Sequence, residues 1–127
     1  MLEDTRLSTL QRKLVKETDE SVALAISLHI NECLMYPENA SYVSRSGDLI
    51  QDAVMEVVRS QEHSWNVKVI CGTALGRLGS LHTNYPAWVT WVWKQVEVAT
   101  NKERLQTVFL AALEESIVKG GGNKEGD

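Results

Sequence analysis

One stretch of the sequence, residues 65–81, constrains the fold more than any other. It reads WNVKVICGTALGRLGSL and has helical spacing, with apolar side chains on nearly every face. Only Lys68 and Arg77 are charged, and three glycines interrupt the run. A helix that is apolar all round is either a membrane span or the centre of a bundle. Because the stretch is too short and too charged to cross a bilayer, it predicts a central helix enclosed by others.

The rest of the chain also has the apolar spacing of helices, and no segment alternates in the manner of a strand. The four other expected helices cover about residues 7–34, 46–58, 87–99 and 100–118. Pro37 ends the first of these helices, since the residue before a proline disfavours helical geometry. Thr100 and Glu103 have the spacing of a capping box at the start of the last helix.

These boundaries predict an all-α domain of five helices over residues 1–119. Residues 38–46, between the first two helices, are expected to form a short turn of helix at most. Residues 120–127, with the sequence GGGNKEGD, are expected to be a flexible glycine-rich tail. A chain of 127 residues is long enough for one hydrophobic core and too short for two.

The charge distribution argues against nucleic-acid binding, and the cysteines indicate the redox compartment. The formal net charge is −4, and the 13 lysines and arginines are scattered, whereas a nucleic-acid-binding domain carries a basic stripe or patch. Cys33 and Cys71 lie in different predicted helices, with no signal peptide ahead of them. The sequence therefore predicts free thiols in a reducing compartment, the cytoplasm.

We expect neither an enzyme nor a cofactor. The sequence has no recognisable nucleophile–base pair, no phosphate-binding loop and no cluster of carboxylates. His29 and Cys33 are four residues apart, a spacing that a metal ion can use, but no third or fourth ligand accompanies them. We therefore expect no metal site.

The stretch SWNVKVICGTALGRLG, residues 64–79, resembles the BH1 motif of the Bcl-2 family. That motif reads Asn-Trp-Gly-Arg, then an apolar run, then Phe-Gly-Gly. With one residue inserted after Trp65, Lys68 takes the place of the family arginine. Leu75 then takes the place of the phenylalanine and Gly76 that of the following glycine.

Upstream segments extend this resemblance over about residues 7–81. Residues 48–65 are similar to the helix that leads into BH1, and LQRKLVKETDESVALA, residues 10–25, is similar to the BH3 helix. Asp19 there matches the BH3 acid. The chain departs from the family in having no room before Leu7 for a full first helix, no evident BH2 motif and no C-terminal anchor. It therefore resembles the divergent viral homologues, of iridovirus type, with the BH4 helix truncated or absent.

The resemblance implies a Bcl-2-like helical bundle that inhibits apoptosis. Such a protein binds the BH3 helix of pro-apoptotic proteins such as Bim in an apolar groove. The resemblance implies that Ala25, Leu28 and His29 form one wall of the groove, and that Val54, Val57 and Val58 form the other. Cys71 and Leu75 would form its floor. Trp65, Lys68 and Gly76, from the BH1-like stretch, would complete the binding site. Lys68 would form an ion pair with the partner's invariant aspartate, but a lysine cannot make the two parallel hydrogen bonds that an arginine makes with a carboxylate.

The resemblance also implies a location and a mode of assembly. A viral homologue without a transmembrane anchor would act in the host cytoplasm and reach mitochondria only through its partners. An exposed apolar groove further predicts self-association, with a homodimer covering the groove when no partner is bound.

Simpler interpretations of the same residues stay open. Trp65 is equally well explained as a core anchor, and Lys68 as a lysine at a helix start whose amine reaches solvent. WNVKVICGTALGRLG also resembles the inner helix of HEAT or karyopherin-like repeats, which would make the chain a helical-repeat binding platform, although no internal repeat is visible. Helix topology separates the two: a fully surrounded central helix favours the groove, and stacked hairpins favour the repeat.

Overall fold

The computed structural model describes residues 2–119, and the side chains from residue 9 onward except Pro37 and Ala40. Six α-helices and one short 3-10 helix, Pro37–Asn39, account for most of this range, and it contains no strand. The α-helices are α1 Leu2–Lys16, α2 Glu20–Cys33, α3 Ala40–Arg59, α4 Trp65–Ser80, α5 Tyr85–Val98 and α6 Glu103–Val118. The all-α class is confirmed. The predicted tail, residues 120–127, lies outside the described residues.

The six helices form three helical hairpins packed side by side. Within the hairpins, α1 packs on α2, α3 on α4 and α5 on α6. Between hairpins, α1 packs on α3, and α2, α4 and α6 pack in sequence, with the most extensive contact between α4 and α6. Helices α1, α2, α3, α4 and α6 thus each contact a hairpin partner and a helix two places along the chain, as in stacked helical repeats, whereas α5 packs on α6 and α4. This packing confirms an all-α bundle and does not confirm a Bcl-2-like one.

Helix α4 is central, as predicted, but it is not enclosed on every side. It contacts α2, α3, α5 and α6, and Gly72 and Gly76 let the backbone of α6 approach closely. A stripe on its remaining face stays open: Val69 is 43% exposed, and Ile70 and Thr73 are half-buried. The apolar excess of α4 is therefore explained by contacts on three sides, while a fourth side faces solvent.

The single helix predicted over residues 7–34 is wrong, because the chain turns between α1 and α2. Asp19 has extended backbone angles (φ −75°, ψ 121°) and its side chain accepts a hydrogen bond from the Val22 N–H at 3.1 Å. It is the N-cap of α2, so the segment likened to a BH3 helix spans a helix break. The expected truncated first helix is also not seen, since α1 has 15 residues.

Two further boundaries differ from the predictions. Helix α3 begins at Ala40, so residues 40–46 are helical, and a kink at Ser46 (φ −120°, ψ 15°) marks the predicted start. The capping box at Thr100 does not form, because the Thr100 hydroxyl donates to the Glu97 carbonyl at 2.7 Å. Helix α6 instead begins at Glu103, after a turn in which Asn101 has a positive φ of 75°.

One continuous apolar core joins the three hairpins. It includes residues from all six helices, from Leu14 of α1 to Leu113 of α6. Trp88 of α5 is buried against Gly79 of α4, and Tyr85 stacks on Trp88 with ring centroids 6.0 Å apart. No helix within residues 2–119 combines the length and the apolar character needed to cross a bilayer.

Candidate functional site

The structure distributes the implied groove residues over three different environments. Five of them are core residues between α3 and its neighbours, each at most 2% exposed: Val54, Val57, Val58, Cys71 and Leu75. Direct packing of α3 on α4 covers these side chains. Burial in an apolar environment also raises the pKa of the Cys71 thiol to about 12.

The first implied wall lies on the opposite side of α4. Ala25, Leu28 and His29 belong to an open depression that we call the α2–α4 furrow, with a volume of about 630 Å³. Its other lining residues are Asn31, Glu32, Ile70, Thr73 and Arg77. Leu28 is 56% exposed, and Ala25 is exposed as well.

Polar groups hold the two sides of this furrow together. Asn31 of α2 donates its side-chain amide to the Ile70 carbonyl of α4 at 3.2 Å. Arg77 of α4 donates to the Asn31 carbonyl and forms an ion pair with Glu115 of α6 at 3.1 Å. One guanidinium therefore connects α2, α4 and α6, which makes the structural role of Arg77 evident.

Gly76 is a packing residue and does not line the α2–α4 furrow. A Cβ atom built at Gly76 would lie 2.5 Å from the Ala112 carbonyl oxygen and 2.6 Å from the Glu115 Cβ. Any side chain at this position would push α6 away from α4. The glycine that was matched to the BH1 motif is thus required by the contact between two helices.

The structure brings Trp65 and Lys68 together at the start of α4. The Lys68 ammonium lies 4.4 Å from the centroid of the Trp65 ring, which is cation–π geometry. Lys68 is only 7% exposed, and burial lowers the pKa of its ammonium below the usual value. Among the described residues it has no ion-pair partner.

Lys68 and Trp65 line a depression of about 570 Å³ that we call the Lys68 pocket. The ends of four helices form it, because α3 and α5 finish there and α4 and α6 begin there. Its other lining residues are Val58, Arg59, Ser60, Gln61, Gln95, Val98, Ala99, Lys102, Glu103, Arg104, Leu105 and Phe109. Four of the lining side chains are cationic and one is acidic, so the pocket is positively charged.

The start of α6 adds to this positive potential. The N-cap residue, Lys102, makes no capping hydrogen bond with its side chain, and the first three helical residues line the pocket. The first N–H groups of a helix have no partner within that helix and carry a partial positive charge. Arg104, in this turn, lies with its Cζ atom 6.0 Å from the Trp65 ring centroid.

Sequence reasoning identified Trp65 and Lys68 but missed the residues that complete the pocket. Arg59, Lys102 and Arg104 come from the end of α3 and the start of α6. No motif links these positions, and they meet only because the hairpins stack. The available signal was the pair of basic residues at 102 and 104, beside the predicted start of a helix.

A metal centre has no support in the part of the chain that the structure describes. No group of three or more histidine, cysteine, aspartate or glutamate side chains there is arranged to hold a metal ion. His29 lies 3.6 Å from the Glu32 carboxylate, and Cys33 is buried. Comparison with known proteins found no matching family model, no similar curated protein and no similar solved structure.

Proposed function

We propose that this protein is a binding platform of stacked helical hairpins, which recognises a segment of a partner protein. The observation that supports it most directly is the packing order, in which α2, α4 and α6 form one continuous layer. Stacked hairpins expose one face of such a layer along its whole length, and binding surfaces of repeat proteins are of this kind.

The α2–α4 furrow is the best candidate contact surface on that layer. Leu28 and half-buried Ile70 line the furrow from neighbouring helices, and Val69, next to Ile70 in α4, is exposed. His29 and Arg77 provide polar groups at the same furrow. An amphipathic helix could bury its apolar face here while its polar face stays in water.

Nuclear magnetic resonance can test the proposed platform with a panel of amphipathic helical peptides. We expect the largest chemical-shift changes at Leu28, Ile70 and Thr73, and weaker binding for the double variant Leu28→Glu, Val69→Glu. Leu49→Glu is the control, since Leu49 is an exposed leucine, 68% exposed, that belongs to α3 and does not line the furrow. Absence of binding to every peptide, or unchanged affinity in the double variant, would contradict the platform.

A second candidate function is the capture of BH3 helices, as the Bcl-2 resemblance implies. The observation in its favour is that Lys68 lies beside Trp65 in a pocket, with no carboxylate paired to it. A partner aspartate could supply the missing counter-charge. The separation of Lys68 from Leu28 on two sides of α4 requires that such a helix bind differently from the implied groove.

Calorimetry with BH3 peptides, including that of Bim, tests this second function. Binding should weaken about tenfold or more in Lys68→Glu, because removing one member of a buried charge pair costs at least 2 kcal/mol. Lys94→Glu is the control, since it makes the same charge change at an exposed position of α5. No heat of binding with any BH3 peptide would rule this function out.

Self-association is a third element of the proposal, and the far side of α6 supports it. Leu110 and Ile117 are exposed, and they lie about half a turn around the helix from Val108 and Ala112, which face α4. A second copy of the chain could cover this uncovered apolar stripe. Analytical ultracentrifugation should show dimers that Ile117→Glu abolishes, and a monomer at all concentrations would contradict this assignment.

A further inference from the structure

The Lys68 pocket contains a buried cation whose charge nothing in the described structure neutralises. The Lys68 residue is 7% exposed, and it forms no ion pair with a described residue. The Trp65 ring contacts one side of the ammonium, but a π-face supplies only part of the stabilisation that a counter-ion gives. Because Lys68 lines the pocket and no carboxylate is paired with it, its ammonium can bind an anion that enters the pocket.

A second group of donors at the same pocket also lacks an acceptor. Lys102 does not cap α6 with its side chain, and residues 103–105, the first turn of that helix, line the pocket. Uncapped N–H groups at the start of a 16-residue helix attract anions through hydrogen bonding and the helix dipole. These donors belong to a different helix from Lys68, so the two observations are independent.

Three of the four remaining charges around the pocket are also positive. Arg59, Lys102 and Arg104 line it, and none of the three forms an ion pair with a described residue. Glu103 is the single acidic side chain among the lining residues. This concentration of positive charge occurs in a chain whose formal net charge is −4. The pocket therefore has a local excess of positive charge, which attracts an anionic ligand.

We propose that the Lys68 pocket binds a phosphate group, carried by a phosphorylated side chain of a partner or by a small phosphate ester. A phosphate monoester has close to two negative charges at neutral pH and three acceptor oxygens. It can therefore use Lys68, Arg104 and the first N–H groups of α6 together, whereas a carboxylate offers one charge and two oxygens. The apolar walls, which include Val58, Leu105 and Phe109, would contact the group that carries the phosphate.

This site is separate from the α2–α4 furrow, and the proposal does not depend on the platform function. Its volume of about 570 Å³ lies within the range of small-ligand sites, so it can hold a phosphorylated side chain or a small ester. Because Lys68 was also the candidate contact for a BH3 aspartate, the same residue has two proposed anionic partners. Their chemistry differs enough for one titration series to distinguish them.

The test is a titration of the isotope-labelled protein followed through the Trp65 indole N–H resonance, assigned with Trp65→Phe. The ligands are inorganic phosphate, phosphoserine, a short phosphoserine peptide and the same peptide with glutamate or serine in place of the phosphoserine. Sulfate at equal ionic strength serves as the anion control. We expect saturable binding of the three phosphate ligands, and tighter binding of the phosphopeptide if the phosphate is carried by a protein.

Two pocket variants and one control locate the site. Lys68→Met and Arg104→Gln should each weaken phosphate binding at least about tenfold, since each removes a charge-assisted hydrogen bond. Lys94→Met, an exposed position on α5, should leave binding unchanged. Lys68→Met should also remain folded, with an unfolding temperature at or above that of the parent chain, because it replaces an unpaired buried charge with an apolar side chain of similar length.

The outcomes distinguish the possible ligands. Equal affinity for the glutamate peptide and the phosphopeptide would overturn the phosphate assignment in favour of a carboxylate site. Absence of saturable binding to all phosphate ligands would overturn the proposal, as would unchanged affinity in both pocket variants or equal binding of sulfate. None of these four results would affect the platform, which is tested with unphosphorylated peptides at the α2–α4 furrow.

Discussion

Individual residues of α4 perform two opposed tasks. Gly72 and Gly76 remove side chains where α6 approaches, and Lys68 introduces a charge where burial disfavours one. Two glycines inside a helix cost roughly 2 kcal/mol in helix propensity relative to alanine. The close contact of α4 with α6 compensates that cost, whereas Lys68 has a cation–π contact with Trp65 but no ion pair in the described part of the fold. This contrast is the residue-level reason for assigning packing to the glycines and ligand binding to the lysine.

Gly76→Ala should destabilise the protein, because the new Cβ would lie 2.5 Å from the Ala112 carbonyl oxygen. Overpacking of this kind typically costs about 1–3 kcal/mol. Gly47→Ala is the matched control: no atom lies within 4 Å of its Cβ, so alanine should be neutral or stabilising by up to about 1 kcal/mol. Urea denaturation measures both changes, and a Gly76→Ala protein as stable as the parent would contradict the close contact.

The Cys71 thiol should make stability depend on alkaline pH. Its pKa is raised by burial to about 12, so the folded chain keeps the proton at pH values where the unfolded chain loses it. The stability advantage of the parent over Cys71→Ala is therefore complete below about pH 9. Above that pH it should fall by up to about 1.4 kcal/mol per pH unit until the folded thiol also ionises. Denaturation of both proteins at pH 7, 9 and 10 tests this, and a constant difference would contradict it.

At the level of helices, the boundaries follow capping interactions that propensity alone does not reveal. Asp19 and Ser64 each accept a backbone N–H from the first turn of a helix, and α2 and α4 begin at the next residue. Thr100 has the sequence pattern of a cap, yet its hydroxyl bonds backwards to Glu97. A short polar side chain can therefore cap the start of a helix, as Asp19 and Ser64 do, or bond to the last turn of the helix before it, as Thr100 does.

Asp19→Ala should lower stability by about 1 kcal/mol, since it removes the side chain that caps α2. Asp19→Asn should retain most of the stability, because an asparagine oxygen can accept the same Val22 N–H. Thr100→Ala should change stability by less than about 0.5 kcal/mol, since Thr100 does not cap α6 and its hydrogen bond with the Glu97 carbonyl is exposed. Thermal unfolding of the three variants measures these changes in stability. Equal losses in Asp19→Ala and Thr100→Ala would contradict these cap assignments.

In the molecule as a whole, α4 is the helix that couples the stability of one hairpin to that of the next. Helix α4 touches α2 on one side and α6 on the other, and the Arg77 side chain bonds to both neighbours. In a stack of repeats, loss of one interface loosens the outer unit before the rest unfolds. The contact of α4 with α6 is therefore the main attachment of the third hairpin to the rest of the fold.

Arg77→Met should speed amide hydrogen exchange in α6 and α2 and lower overall stability by about 2 kcal/mol. The reason is that charge-assisted hydrogen bonds in a mostly buried site contribute about 1.5–3 kcal/mol. Lys94→Met is the control, because Lys94 is exposed on α5. Mass spectrometry of exchange can resolve the individual helices. If exchange in Arg77→Met matched that of Lys94→Met in every helix, Arg77 would not join the three hairpins.

Prediction from sequence succeeded where the signal is local. The bounds of α4 and α5 differ from those predicted by a few residues at most, because Ser64 and Asn84 cap them and their apolar residues have a clear period. The predicted helix over 7–34 failed because both α1 and α2 have helical spacing and only tertiary packing requires the turn between them. Trp65 and Lys68 were found from one segment, whereas Arg59 and Arg104 belong to segments distant in the sequence.

By itself, the sequence determined that the chain is all-helical and that residues 65–80 form its most buried helix, since periodicity and composition are properties of each segment. Only the tertiary structure decided how the helices stack, because the course of the chain at residues 17–19, 60–64 and 99–102 depends on contacts between distant segments. That stacking buried Val54, Val57 and Leu75 and placed Leu28 on another face from Lys68. It also gathered four cations around one pocket, which no single segment of the sequence encodes.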